Sequence, residues 1–320
     1  MNILITGSSL TPIDKLLRFG MVIIIHENNE WISPFEEAFQ KLNIDYRIWY
    51  VPDMSLDLSE IPPDAVYWNR MSASSHTRGH RYEPELVAGI LAWLERHNRT
   101  VINGGNALDL EISKMRQYES LEKFSIRTPK TFCAIKKEHL IDGASCIGFP
   151  LITKHNRAGK GLGVRKFDNE AALHDYLASD EFEESPDGIT LLQEYIDAPS
   201  KSIFRMEFVD SKFLYAVEVD TTQGFELCPA DVCELESNCP TEETNKFEIV
   251  KDFSISNIGD YETFLKQSDI GIAGIEIIFD KTGDYWTYDV NTNTNYNQQA
   301  EQNAGQSAPE AISRFLSSLV

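Results

Sequence analysis

The chain has 320 residues, of which 42% are hydrophobic, 11% aromatic and 25% charged, with a formal net charge of −21. This length is too great for one compact core and points to two or three units, and the composition is that of an ordinary globular protein. The acidic balance argues against a broad nucleic-acid-binding surface, although a nucleotide pocket needs only a few local cations.

Residues 2–6 read as a short strand running into Gly7-Ser8-Ser9, and residues 21–25 as a second strand ending at His26-Glu27. No apolar run approaches the roughly 20 residues of a membrane-spanning helix, and the start lacks the charged and apolar regions of a secretory signal. Ser33-Pro34 opens a helix, with Ser at the cap and Pro in the first turn. Strands at 46–51 and 65–68, a helix from about 83 to 97 and a strand at 100–103 continue the alternation. This predicts a small, mostly parallel α/β unit over residues 1–105. Helical periodicity resumes at 108–123 and stops before Thr128-Pro129. Strands at 131–134, 150–154 and 164–167, and a helix at 169–179 capped by Asn169, form a second unit over 106–195. The strand at 191–196 leads into a third unit, 196–320, with strands at 204–209 and 213–219. Its acidic stretch 234–248 reads as polar and mobile. There is no internal repeat. Cys133, Cys146, Cys228, Cys233 and Cys239 form no CxxC pair, which predicts free thiols in a reducing cytoplasm.

The most informative stretch is 274–291, two apolar strands joined by the turn Lys281-Thr282-Gly283-Asp284. Asp289 and Asn291 share one strand face, and Glu276 lies on the partner strand, where hairpin pairing can bring it opposite them. Three oxygen donors on a rigid hairpin suit a hard cation such as Mg²⁺, which completes its shell with waters and substrate phosphates. The plain alternative is an amphipathic hairpin with its polar residues in water.

Upstream, Lys154 precedes a cationic glycine-rich loop containing Gly159, Lys160, Gly161 and Gly163. Glycines let backbone N–H groups approach a phosphate closely. The spacing matches neither a P-loop nor a dinucleotide fingerprint, and a flexible hairpin loop is the alternative. Lys114 alone reads as solvated surface. Gln193, Glu194, Tyr195 and Ile196 sit where the second unit meets the third and can offer backbone groups to a flat heterocycle. The segment 69–82 carries Arg70, His76, Arg78, His80 and Arg81 after a strand. It suits either an anionic substrate group or pairing with the protein's own acids. Cys228, Pro229 and Asp231 are further cleft candidates.

Taken in order, these elements resemble the ATP-grasp superfamily, and within it the RimK-type, glutamate-ligase-like carboxylate–amine ligases. The resemblance covers most of the chain. It implies an α/β and α+β fold, with an N-terminal pre-ATP-grasp unit and two lobes clasping ATP. It assigns Lys114, Lys154 and the glycine loop to the phosphates, and residues 193–196 to the adenine. Glu276, Asp289 and Asn291 are assigned to Mg²⁺ (or Mn²⁺), and Arg205 to the transferred phosphoryl group. Three positions depart from the family pattern. No carboxylate stands at 200–203 for the ribose, with Asp197 as substitute, and Glu276 replaces the usual Asp. The Ser-Pro-Gly turn after Asn291 becomes Thr292-Asn293-Thr294-Asn295-Tyr296-Asn297, which makes Asn293 a substrate-binding candidate. The implied activity joins a small-molecule carboxylate to an amine through an acyl phosphate, on an amino acid or peptide. The alternatives are a small-molecule kinase and a non-catalytic nucleotide-binding scaffold. The expected setting is a cytoplasmic homodimer or larger homo-oligomer, with neither nucleic acid nor membrane as partner.

Overall fold

A computed structural model describes residues 20–159, 161–222 and 246–320. The strand and turn expected at 2–9, Lys160, Cys228, Pro229, Asp231, Cys233, Cys239 and the acidic stretch to residue 245 lie outside the described residues.

The first unit contains β1 (Val22–His26), α1 (Ser33–Lys41), β2 (Tyr46–Tyr50), β3 (Val66–Arg70), α2 (Glu83–Arg96) and β4 (Thr100–Ile102). Its sheet is parallel in the order β2-β1-β3-β4. β1 and β3 are buried throughout, because helices cover both faces and every side chain must leave water. Ile23, Ile25 and Tyr67 pack on Val87, Ile90, Leu91 and Leu94 of α2, whose spacing makes a single helical stripe. Val22 and Ile24 meet Phe35 and Phe39 of α1 on the other face. Ser33 is not the cap of α1. Ile32 occupies that position without a side-chain cap bond, and Ser33 is the first helical residue.

The single helix expected at 108–123 is two, α3 (Gly105–Glu111) and α4 (Lys114–Glu122). Ser113 is extended between them, and its hydroxyl accepts the Arg116 N–H as an N-cap. The Lys114 N–H is donated to Asn156 O, outside its own helix. The break therefore fixes Lys114 at a helix start against the second unit.

The second unit has β5 (Thr131–Ala134), α5 (Lys137–Ile147), β6 (Leu151–His155), β7 (Arg165–Phe167), α6 (Glu170–Ala178) and β8 (Thr190–Glu194). The sheet is antiparallel, ordered β5-β8-β6-β7. Leu151 and Leu192 pack under Leu140, Ala144, Leu173 and Leu177 of the two helices. Strand alternation then sends Ile152, Lys154 and Gln193 to the opposite face. The strand expected at 191–196 ends at Glu194.

The third unit has β9 (Ser202–Val209), β10 (Lys212–Asp220), β11 (Phe247–Ile249), α7 (Ile258–Gln267), β12 (Ile272–Phe279), β13 (Tyr285–Asn291), α8 (Gln298–Ala304) and α9 (Ala308–Ser318). Its antiparallel sheet runs β11-β10-β9-β12-β13. Residues 247 and 248, expected in the polar stretch, pair with β10 instead. Met206, Phe208, Ile275 and Ile277 face Tyr261, Phe264 and Leu265 of α7, in a core that also takes Leu110, Tyr118 and Leu121 from α3 and α4. Alternation turns Arg205, Glu207, Gly274 and Glu276 to the other face. Ser307 caps α9 through the Glu310 N–H, and Ile312 and Leu316 of that helix join Val22, Ile24, Phe35 and Phe39. The end of the chain thus closes the first unit's core. Among the described residues, Cys133 and Cys146 are free thiols, and no helix is long and apolar enough to cross a membrane.

Candidate functional site

A cavity of about 520 Å³ lies between the second and third sheets, a size suited to a small-molecule ligand. Its wall includes Lys114, Lys154, Gly159, Gly161, Gln193, Glu194, Tyr195, Ile196, Arg205, Glu276, Asp289, Asn291 and Asn293. Gly163 stands behind it. A Cβ there would meet the His155 ring at 2.4 Å, and φ is +72°, so only glycine fits.

The hairpin register pairs Glu276 with Asp289 and Gly274 with Asn291. A register shift beside Glu276 brings the two carboxylates across from one another. Lys114 Nζ donates to Asp289 Oδ1 at 2.5 Å. Lys154 Nζ donates to Tyr288 O at 2.9 Å and to the Tyr118 hydroxyl at 3.3 Å. Burial works to raise the Asp289 pKa, but the Lys114 and Lys154 ammonium groups outweigh it and hold the carboxyl below its ordinary value. Burial, and then Asp289, push Glu276 up, and burial lowers Lys154. Two close carboxylates with three nearby cations (Lys114, Lys154 and Arg205) make a charged cluster at one end of the cavity.

No group of three His, Cys, Asp or Glu among the described residues could hold a metal. The third oxygen donor beside Glu276 and Asp289 is the Asn291 amide, whose Nδ2 lies 3.5 Å from Glu276 Oε1. An all-oxygen set of two carboxylates and an amide, with room for a phosphate ligand, is chemistry that fits Mg²⁺.

Arg205 Nε lies 2.8 Å from Glu207 Oε1 in a buried ion pair. Its Nη2 donates to the Thr294 hydroxyl, which donates to Glu207 Oε2 at 3.0 Å. Arg205 Nη1 is 3.9 Å from Glu276 Oε1. At the other end, the Glu194 and Tyr195 N–H groups are donated to Lys130 O and Pro150 O, and the Ile196 N–H has no partner among the described residues. Asp197 and Lys201 both line this end.

Arg70, His76, Arg78 and Arg81 do not reach the cavity wall. Arg78 makes a bidentate pair with buried Glu27, which also takes His80 at 2.9 Å. Arg81 binds Glu85 at 3.0 Å and Pro186 O at 2.6 Å, and His76 Nδ1 contacts Ala73 O. Buried Arg70 donates to Trp31 O, Thr294 O and Asn295 Oδ1. These four side chains are thus engaged by the protein's own groups, the second of the two readings that the sequence allows. Burial, and then Arg70, hold the nearby His26 imidazole down at about 4. Between about pH 6.5 and 4 the unfolded chain takes up a proton that the fold refuses, so stability falls as pH drops, by up to ~3 kcal/mol. Urea unfolding of wild type and His26→Asn across this window should give the variant the shallower slope.

Ser72 to Ser74, from the 69–82 segment, line the cavity, as do Glu111 and Trp31, which the sequence did not mark. Glu111 accepts the Ala73 N–H on Oε1, and the Thr292 N–H, Thr292 hydroxyl and Asn293 N–H on Oε2. Burial raises its pKa. It lies in an apolar run of α3, where nothing local marks it. Glu207 had a signal, since it stands two residues from Arg205 and so on the same strand face.

No protein-family model matches the sequence. The alpha-aminoadipate–LysW ligase LysX of Sulfolobus acidocaldarius is 31% identical over 110 residues, which is 34% of this chain. LysX of Saccharolobus solfataricus is 31% identical over 111 residues. The chain spans 40% of the length of these curated relatives. The RimK domain ATP-grasp protein from Sphaerobacter thermophilus superimposes with a TM-score of 0.63 at 16% identity, over 93% of this chain and 99% of that one. The ATP-grasp ligase PsnB, solved with a minimal precursor, Mg and ADP, gives 0.62 at 14% identity over 93% and 96%. The chain has the ATP-grasp fold and resembles the RimK-type ligases. Within the ATP-grasp fold, the cavity occupies the cleft between the lobes built on the second and third sheets.

Proposed function

We propose that this chain is an ATP- and Mg²⁺-dependent carboxylate–amine ligase. The observation that carries the reading is the single cavity on which Lys114, Lys154, Arg205, Glu276, Asp289 and Asn291 converge, with the residue 193–196 strand end at its far side. ATP transfers its terminal phosphoryl group to a substrate carboxylate, giving an acyl phosphate and ADP. An amine then attacks the acyl carbon, expels phosphate and loses a proton, leaving an amide.

Lys114 and Lys154 supply point charges to phosphate oxygens, and the glycine loop covers them with backbone N–H groups and keeps water out. The Ile196 N–H and its neighbours meet the edge of the adenine. Arg205, held by Glu207 and Thr294, faces the charge that develops on the transferred group. Glu276, Asp289 and Asn291 would hold Mg²⁺, which when bound neutralises charge on the phosphates. The protein's contribution is positioning and electrostatics, as in phosphoryl transfer generally. The curated relatives LysX and the structural neighbour PsnB are ligases by name, which supports amide formation and an amino-acid or peptide substrate.

ATP with Mg²⁺ at about 100 times the dissociation constant should stabilise the fold by about 2.7 kcal/mol. Thermal unfolding with and without both components measures this. Phosphate release that needs both a carboxylate and an amine, across a panel of amino acids and dipeptides, then identifies the ligase. A stable phosphorylated product without free phosphate would instead make the chain a kinase.

A further inference from the structure

The central lobe carries the glycine loop, and three contacts tie that lobe to the first unit at the cavity rim. Arg157, at the root of the loop, has its side chain only 11% exposed and places Nη1 2.9 Å from Glu85 Oε1 at the start of α2. The same Glu85 oxygen accepts from Arg81 Nη1 at 3.0 Å, and Arg81 Nη2 donates to Pro186 O of the central lobe at 2.6 Å. Beside them Gly159 lies against Ser74, whose Cβ is 3.5 Å from where a glycine Cβ would stand.

We propose that Glu85 is a positioning residue for the glycine loop, a latch that holds the central lobe against the first unit and whose release admits nucleotide. The inference rests on the nucleotide reading of the cavity. A half-exposed glutamate pair on a surface contributes little by itself. The balance differs here because the partner guanidinium is mostly buried, with Nε unsatisfied and Glu85 as its ion-pair partner. Removing the carboxylate leaves that cation stranded unless the lobe moves and lets water reach it. The latched arrangement is thus favoured by a charge that, among the described residues, Glu85 neutralises, and the open one by hydration of Arg157. Loop closure of this kind gates ligand exchange on slow timescales.

The test uses the full chain and two readouts. Amide hydrogen exchange at Arg157, Ala158 and Gly159 without nucleotide reports the latch itself. Stopped-flow binding of a fluorescent N-methylanthraniloyl ATP with Mg²⁺ reports exchange. In Glu85→Gln, loop exchange should quicken, and association and dissociation rates should both rise by about threefold or more. Glu83→Gln, a half-buried acid at the first residue of the same helix and outside the latch, should match wild type. Arg157→Met removes the buried cation and serves should Glu85→Gln fold poorly. Unchanged loop exchange and unchanged rates overturn the latch. Wild type that takes up no nucleotide analogue overturns the ligase reading instead, and hydrogen exchange still decides whether Glu85 fastens the loop.

Discussion

Asp289→Asn is expected to lose both Mg²⁺-dependent nucleotide stabilisation and turnover, the latter by roughly a thousandfold, ~4 kcal/mol in the barrier. The change keeps the shape of the side chain and removes one charge at a crowded point. Asp289 is the carboxylate that Lys114 contacts at 2.5 Å, and it faces Glu276 across the hairpin. Its ionised form is favoured by Lys114 and Lys154 despite burial, so the wild-type group is held as an anion. With Asn there, Glu276 is the one remaining acid of the trio, and two buried lysines lose their nearest counter-charge. Phosphate affinity without metal should survive in part, because Lys154 and the glycine loop remain. Calorimetric titration of wild type and variant, with ATP in the presence and absence of Mg²⁺, separates these effects. A variant that keeps the metal-dependent gain would remove Asp289 from the site.

The 274–291 hairpin was legible because much of its information is local. Period-two alternation puts Asp289 and Asn291 on one face, whereas the turn's own register would set Glu276 opposite Tyr288, and the shift that brings it to Asp289 has no local mark. The three sheets were legible from strand and helix periods, apart from their edges. Ser33 failed as a cap and 108–123 broke at Ser113, because a contact from Asn156 outbid the continuing helix. The internal partners of the basic segment were hidden for a different reason. Arg78 finds Glu27 from 51 residues away, and no property of either residue announces that pairing. Glu111 was invisible for the same cause, since its four donors come from loops near residues 73 and 292 that only the fold brings together. Charge that is satisfied over long sequence separations cannot be told from charge awaiting a ligand until the partners are placed.

Replacing Glu207 by Leu should destabilise the fold by about 3 kcal/mol, whereas the double variant Arg205→Met with Glu207→Leu should recover that loss. Both groups are nearly inaccessible, and Gly274 of the neighbouring strand has no side chain to separate them from it. A Cβ at 274 would stand 2.7 Å from Arg205 Nε and 2.9 Å from Glu207 Oε2, so the pair fills the space over that glycine. Removing the glutamate alone leaves a guanidinium whose other acid, Glu276, is 3.9 Å away, and that residual contact keeps the cost at the low end of the range. Burial pushes the Glu207 carboxyl up to about 7 even with Arg205 beside it, so desolvation outweighs the attraction. Its folded value exceeds its unfolded one, and the associated stability is present below about 4.5 and lost as pH rises through 7. The double variant should lack that slope and be at least as stable as wild type at pH 8. If the proposed ligase reading holds, its turnover should nonetheless vanish, because the charge assigned there to the transferred phosphoryl group is gone. Urea unfolding at pH 5 and pH 8, beside phosphate release, tests both halves. An active double variant would show that Arg205 serves only packing.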